Sequence, residues 1–390
     1  MRLLTELRNW LKPDSDCNFK TVLVEGGLIL LIIFFSWWLM SSTFDYRDGK
    51  MLIDSKLWSD FGAHIPLIRS FSKGDNMPPE YPQFANQPIK YHYLFYLVAA
   101  GLEKLGLNIA LSLNLVSALG FGLLMWMIYS VGKLVGRSKK VGLLSLILFL
   151  FNGSLSYVTY FQSRGLSARA LANIFKLKTF TNFGPWNGDL ISAFWNWNIF
   201  TNQRHLGFSL GLVLVLIWPL LKEVFSSKDQ LKLNLSWLLL IWLGLILLPF
   251  LHQAGYLIVF VFVIAWLALN PKLINKFGPV YGLGLLYSVP GFIYFMGSPG
   301  FDIEVGFLAQ QKTFLGVLNY WWFNIGLYLP LILGTILLLA RNKKKLLITF
   351  YLFFMLANSF RFSRDMINNH KLVNFFLIGM AILTANLLVK

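Results

Sequence analysis

Four stretches of this sequence gather side chains able to move protons or hold anions. The first is Leu57-Trp-Ser-Asp60-Phe-Gly-Ala-His64-Ile-Pro-Leu-Ile-Arg69. Asp60 and His64 stand four residues apart and so share one face of a helix. A carboxylate beside an imidazole suits a general base or a metal ligand pair, and equally an ordinary helix-surface contact. The second runs Pro78-Pro79-Glu80-Tyr81 to Tyr91-His92-Tyr93-Leu-Phe-Tyr96, a proline-stiffened loop whose aromatics suit a membrane interface. The third is Trp195-Asn-Trp197-Asn-Ile-Phe-Thr-Asn202-Gln203-Arg204-His205. Its indoles, amides and guanidinium suit a sugar ring with an adjoining phosphate, and its tryptophans also suit an interfacial belt. The fourth is Arg361-Phe-Ser-Arg364-Asp365-Met-Ile-Asn368-Asn369-His370-Lys371. If helical, it aligns Arg361, Arg364, Asn368 and Lys371 in one cationic stripe that calls for a phosphate, from a lipid headgroup or a lipid-linked substrate.

The elements that must position these groups are hydrophobic helices. The 390 residues are 56% hydrophobic and 13% charged, against about a quarter charged in soluble domains. Apolar runs near 21–41, 108–134, 141–160, 206–222, 235–251, 254–270, 277–296, 319–340, 346–359 and 372–389 predict about ten transmembrane helices. The first reads as a retained signal anchor. Arg2, Arg8, Lys12 and Lys20 place the N-terminus in the cytoplasm. Arg137–Lys140, Lys222–Lys232, Lys272/Lys276 and Arg341–Lys345 then all fall inside, provided that 91–106 lies at the interface or re-enters.

This map predicts an all-α polytopic bundle forming one transmembrane domain, 1–390. It has a first extracytoplasmic loop at 42–106, with amphipathic interfacial helices, and a second at 161–205. Trp58, Phe61, Ile65 and Ile68 supply the apolar stripe of one such helix. All five histidines, His64, His92, His205, His252 and His370, fall on the outer side. The formal charge of +17 is explained by the inner loops, and with no basic face or nucleic-acid module, nucleic acid is excluded as a partner. The single cysteine, Cys17, supports neither a disulfide framework nor a thiolate cluster.

In this layout the chain resembles the GT-C superfamily of integral membrane glycosyltransferases, including the protein mannosyltransferase and aminoarabinose transferase types. The resemblance rests on a cytoplasmic N-terminus, one span and a long outer loop with Asp60 in an amphipathic helix. Pro78-Pro79 with Tyr91–Tyr96 follows, similar to the family's Pro-Pro-x-x-Tyr neighbourhood. It is firmest over about residues 1–260. The chain departs from the family in having Asp-x-x-x-His rather than Asp-x-Asp, and in lacking a C-terminal periplasmic domain.

The resemblance implies inverting transfer from a polyprenyl-phosphate sugar to a glycan, protein or lipid acceptor. Asp60 would be the base, with His64 orienting or assisting it, and Arg361, Arg364, Lys371 and Arg204 would hold the donor phosphate. His92, Trp195, Trp197, Gln203, His205, His252, Asn368 and His370 are candidates for substrate contact. The expected setting is a plasma membrane, with lipids as further partners. No cofactor is required by the motifs, and a divalent cation has room among the histidines. The competing readings are a transporter or flippase for a lipid-linked or anionic solute, a scaffold, and an outer-face metalloenzyme.

Overall fold

The computed structural model describes residues 19–54, 58–84, 86–152, 154–176, 196–226, 233–296, 302–326 and 328–389. Helices dominate. Among the described residues, four are long and apolar enough to cross a membrane: Leu23–Ser41, Ile109–Gly136, Arg204–Phe225 and Met366–Leu388. Two sharply bent pairs raise that number to six if each is one span. Leu30, Phe34, Leu235 and Leu286 lie more than 60% exposed on helix exteriors, an apolar surface suited to lipid.

The chain begins with α1 (Phe19–Ser41) and enters a hairpin, β1 (Phe44–Arg47) and β2 (Lys50–Ile53). Asp48 and Gly49 both take positive φ, which suits a two-residue turn between right-twisted strands. Then come α2 (Trp58–Ser72) and α3 (Leu94–Lys104), packed against each other. With 11 residues, α3 is about 16 Å long, too short to span. Its buried Glu103 pairs with Arg69 of α2 at 3.0 Å. The 42–106 segment thus holds the two expected short helices and also a β-ribbon absent from the sequence expectation.

The bundle proper starts with α4 (Ile109–Gly136) and α5 (Lys139–Leu150), followed by α6 (Ser156–Arg164), α7 (Ala168–Lys176) and α8 (Asn196–Asn202). The apolar run at 141–160 is therefore not one continuous helix. Then follow α9 (Arg204–Phe225), α10 (Leu235–Leu251), α11 (Gln253–Leu269) and α12 (Ile274–Phe295). Between α11 and α12 the chain turns by 110°. Next are β3 (Asp302–Ile303), α13 (Phe314–Ile325) and α14 (Tyr328–Leu338), the two helices bent by 103°. The fold closes with α15 (Arg341–Ser359), β4 (Phe360–Arg361) and α16 (His370–Leu388). A 3-10 turn at Met366–Asn369 leads into α16. Residues 361–369 are thus strand, loop and 3-10 turn, with Lys371 in α16, and the predicted single cationic helical stripe does not form.

Burial identifies the centre. From Leu372 to Asn386 every residue of α16 is buried, Asn374, Thr384 and Asn386 among them, and the helix packs against α4, α5, α11, α14 and α15. At one end of the bundle basic side chains tie helices together. Lys133 meets Glu25 at 2.7 Å, Lys276 meets Glu223 at 2.7 Å and Lys345 meets Asn270 at 2.9 Å. The opposite end gathers the C-terminus of α1 and the N-termini of α4, α9, α11 and α16. This antiparallel order agrees with the alternation read from the basic loops.

The seam between α4 and α9 sets how closely those helices approach. A Cβ on Gly120 would lie 2.6 Å from Phe208 Cβ and 2.8 Å from its Cα, and one on Gly211 would lie 3.0 Å from Leu124 N. Membrane helices lack a hydrophobic drive to associate and gain instead from such close backbone packing. Gly120→Ala should therefore lower the unfolding temperature in detergent, an overpacking cost of about 1–3 kcal/mol. Gly27→Ala on α1, where nothing lies within 4 Å, should not. Equal effects of the two substitutions would contradict this account of the seam.

Candidate functional site

The ends of α1, α4 and α8 carry partial negative charge or polar acceptors, and one buried cation gathers them. Arg204, the first residue of α9, is fully buried. Its Nε donates to Thr201 O at 2.8 Å and Nη1 to Asn114 Oδ1 at 2.9 Å. Its Nη2 donates to Thr43 Oγ1 at 2.9 Å and Met40 O at 3.2 Å. Met40 and Thr201 lie in the last turns of α1 and α8, where the helix dipoles favour a cation. The guanidinium also lies 5.2 Å from the Phe61 ring of α2. Arg204 is thus committed to the scaffold, and its expected role as a phosphate ligand is corrected.

What this post holds in place is a compact group of imidazoles. Ring centroids of His92 and His205 lie 4.7 Å apart, His92 and His252 4.5 Å, and His205 and His252 5.0 Å. His64 lies 5.9 Å from His205. These residues come from α2, the loop before α3, the first turn of α9 and the α10–α11 joint. His370, at the start of α16, feels the same group through His252.

His64 does not orient Asp60, contrary to expectation. Its Nε2 donates to the carbonyl of Asn202 at 2.9 Å, and its Nδ1 faces the Tyr96 hydroxyl at 2.9 Å. Burial holds its pKa down at about 4, so the ring is neutral. Burial likewise pushes His92 well below the usual histidine value. Tyr96 in turn lies 3.1 Å from His205 Nδ1, and its ring stacks 6.3 Å from that of Tyr91. Neither tyrosine was among the expected site residues. The signal was the Tyr91-His92-Tyr93-x-x-Tyr96 spacing, read then as an interfacial anchor.

Asp60 is half-buried on the same side. Burial raises its pKa, and the ammonium of Lys371 opposes that rise. Tyr91 and Tyr96 also sense its charge. Lys371 reaches Asn368 Oδ1 at 3.2 Å and acts electrostatically on His92, His205, His252 and His370. Asp60 and Lys371, distant in sequence, therefore lie within electrostatic reach of each other at one end of the bundle, beside the buried imidazoles. Gln203 is drawn in as well, 3.1 Å from His370 Nε2.

Other expected ligands lie elsewhere. Arg361 is ion-paired with Asp302, and Glu304 lies 3.8 Å from it. The Asp302 contact pushes its pKa up. Its charge is offset by acids on and beside β3, the strand that pairs with β4, so a phosphate is not needed there. Arg364 is exposed in the following loop. Trp197 stacks among Phe35, Trp38 and Phe151, an aromatic packing site between helices. Trp195 lies outside the described residues. A separate cleft of about 480 Å³ opens between α6 and α13, lined by Val158, Gln162, Gln311, Tyr320 and Asn324 among others. None of the expected site residues lines it.

A family model described as "Uncharacterized membrane protein (DUF2298)" matches residues 64–202. The matched segment covers α3 to α8 and begins and ends on the two residues joined by the His64–Asn202 hydrogen bond. No curated protein and no solved structure matches the chain. The family match and the apolar helices together make this an integral membrane protein.

Removing the Arg204 guanidinium leaves several buried acceptors unpaired. Arg204→Lys, with one compact ammonium in place of a planar fork, cannot reach all four acceptors. It should destabilise the protein by on the order of 3 kcal/mol. Thermal unfolding of the purified variant checks this, and an unchanged transition would show that the four bonds do not hold the site.

Proposed function

We propose that this chain is a glycosyltransferase that moves a sugar from a polyprenyl-phosphate donor to an acceptor hydroxyl. The reaction would take place at the end of the bundle bearing the 42–106 loop, which the basic-loop pattern assigns to the extracytoplasmic side of a plasma membrane. The ten-span map belongs to the same reading, with α5, α10, α11, α12 and α15 counted as separate crossings and the bent α13–α14 pair as one.

The observation that supports the reading is a half-buried Asp60 within electrostatic reach of Lys371, beside buried imidazoles. An acceptor hydroxyl has a pKa far above 7 and needs a base as its oxygen attacks the anomeric carbon. A half-buried carboxylate whose pKa is raised is a stronger base than one in water. The proton passes to Asp60, the C1–O bond to the lipid phosphate breaks, and the phosphate leaves with the electron pair. Its growing negative charge would face Lys371, with Arg364 nearby in sequence as a second cation. With Arg204 and Arg361 engaged elsewhere, the phosphate site is smaller than the sequence suggested.

A transporter or flippase is the second reading, favoured by the 110° and 103° bends between paired helices. Against it stands the placement of the polar groups at one end of the bundle rather than at mid-depth.

The test is to incubate purified protein with a panel of radiolabelled polyprenyl-phosphate sugars and score transfer or hydrolysis. The expected result is turnover of at least one donor, reduced about 10²- to 10⁴-fold in Asp60→Asn with the fold retained. Lys371→Met should lower kcat as well, since its charge acts on the departing phosphate. Normal turnover by Asp60→Asn would remove the base, and inertness toward every donor would discard the transferase reading.

A further inference from the structure

The five histidines divide into two kinds by what their nitrogens touch. His64 is saturated by Asn202 O and Tyr96, and His370 by Asn374 Oδ1 at 2.9 Å and Gln203. His92, His205 and His252 are different. Both nitrogens of His92 and Nε2 of His252 are buried without a hydrogen-bond partner among the described residues. One ring nitrogen from each of the three lies within 4.8 Å of the others.

The surrounding bonds determine which nitrogen of His205 is bare. His64 must carry its proton on Nε2 to donate to a carbonyl, so its Nδ1 accepts from the Tyr96 hydroxyl. The Tyr96 oxygen then accepts from His205 Nδ1–H, which leaves a lone pair on His205 Nε2. This is the arrangement in which a ligating imidazole is oriented and made more basic through its second nitrogen.

We propose that His92, His205 and His252 bind one divalent transition-metal ion, with Zn²⁺ as the reference case. Three neutral imidazoles suit Zn²⁺ or its borderline neighbours and disfavour the oxygen-seeking Mg²⁺ and Ca²⁺. Zn–N bonds of ~2.0–2.1 Å place tetrahedral ligand nitrogens ~3.3 Å apart, so the rings close inward slightly on binding. His252 Nδ1 accepts a long 3.3 Å bond from Gly255 N, and ligation through Nε2 moves the ring proton to Nδ1 and gives that bond up. Lys371 opposes a dication here. The Asp60 carboxylate and an anionic group in the fourth coordination position offset it. Three protein ligands leave that position open to water or substrate.

The site is tested on the full chain, purified in detergent through a histidine-free tag. Elemental analysis after Zn²⁺ loading should find about one ion per chain. Co²⁺ loading should give the visible absorption of a low-coordinate cobalt–imidazole site. His92→Ala and His252→Ala should lose both signals, whereas His370→Asn should keep them. Tyr96→Phe, which retains the ring and its packing, should weaken Zn²⁺ affinity about 10- to 100-fold. Folded wild-type protein that takes up neither ion, or a Tyr96→Phe variant with unchanged affinity, would overturn the assignment. So would loss of the metal on replacing His370 alone. Because the readouts need no substrate, metal uptake without sugar transfer would discard only the transferase reading, and transfer without metal only this one.

Discussion

A guanidinium with no carboxylate partner among the described residues, sealed inside the protein, is the constraint on which the site depends. Arg204 is neutralised by the negative ends of two helices and by amide and hydroxyl oxygens, not by an opposite charge. Such a cation is costly to bury and is held only where several acceptors converge. Once it is in place, the end of α1, the start of α4 and the α8–α9 corner have little freedom to move apart. Phe61 lies against the same guanidinium, which sets α2, and with α2 both Asp60 and His64.

From that fixed corner the order propagates through hydrogen bonds. Asn202, at the end of α8, presents its carbonyl to His64, His64 Nδ1 accepts from the Tyr96 hydroxyl, and the Tyr96 oxygen accepts from His205 Nδ1–H, which leaves His205 Nε2 its lone pair. No step needs a charge, and each is enclosed, so the low dielectric strengthens every bond. Lys371 arrives from the opposite end of the chain because α16 runs through the middle of the bundle and begins at this same corner.

The bundle was legible in the sequence because apolar length and basic loops report directly on insertion. The same parity rule placed all five histidines at one end. What could not be read was the pairing. Arg204 looks identical in sequence whether it faces a phosphate or the C-termini of two helices. Arg361 seemed to lack an anion because Asp302 is far away in the chain, and the two-residue strands that join them leave no alternating pattern. His64 next to Asp60 on one helix suggested a dyad, but a backbone carbonyl and a tyrosine hydroxyl had stronger claims on its nitrogens. Tyr96 was missed because an aromatic near a membrane interface is expected on other grounds. Which three imidazoles stay bare depends on Asn202, Asn374 and Gln203, partners that no local motif announces.

The central claim is that the charges of Asp60 and Lys371 act on each other at the buried end of the bundle. A double-mutant cycle measures this directly, through the unfolding free energies of Asp60→Asn, Lys371→Met and the combined variant in detergent. Electrostatic coupling between them predicts a coupling energy of about 0.5 kcal/mol or more, with the double substitution less damaging than the two single effects added. Strict additivity would mean that the carboxylate and the ammonium do not act on each other, and the site described here would not exist as one unit.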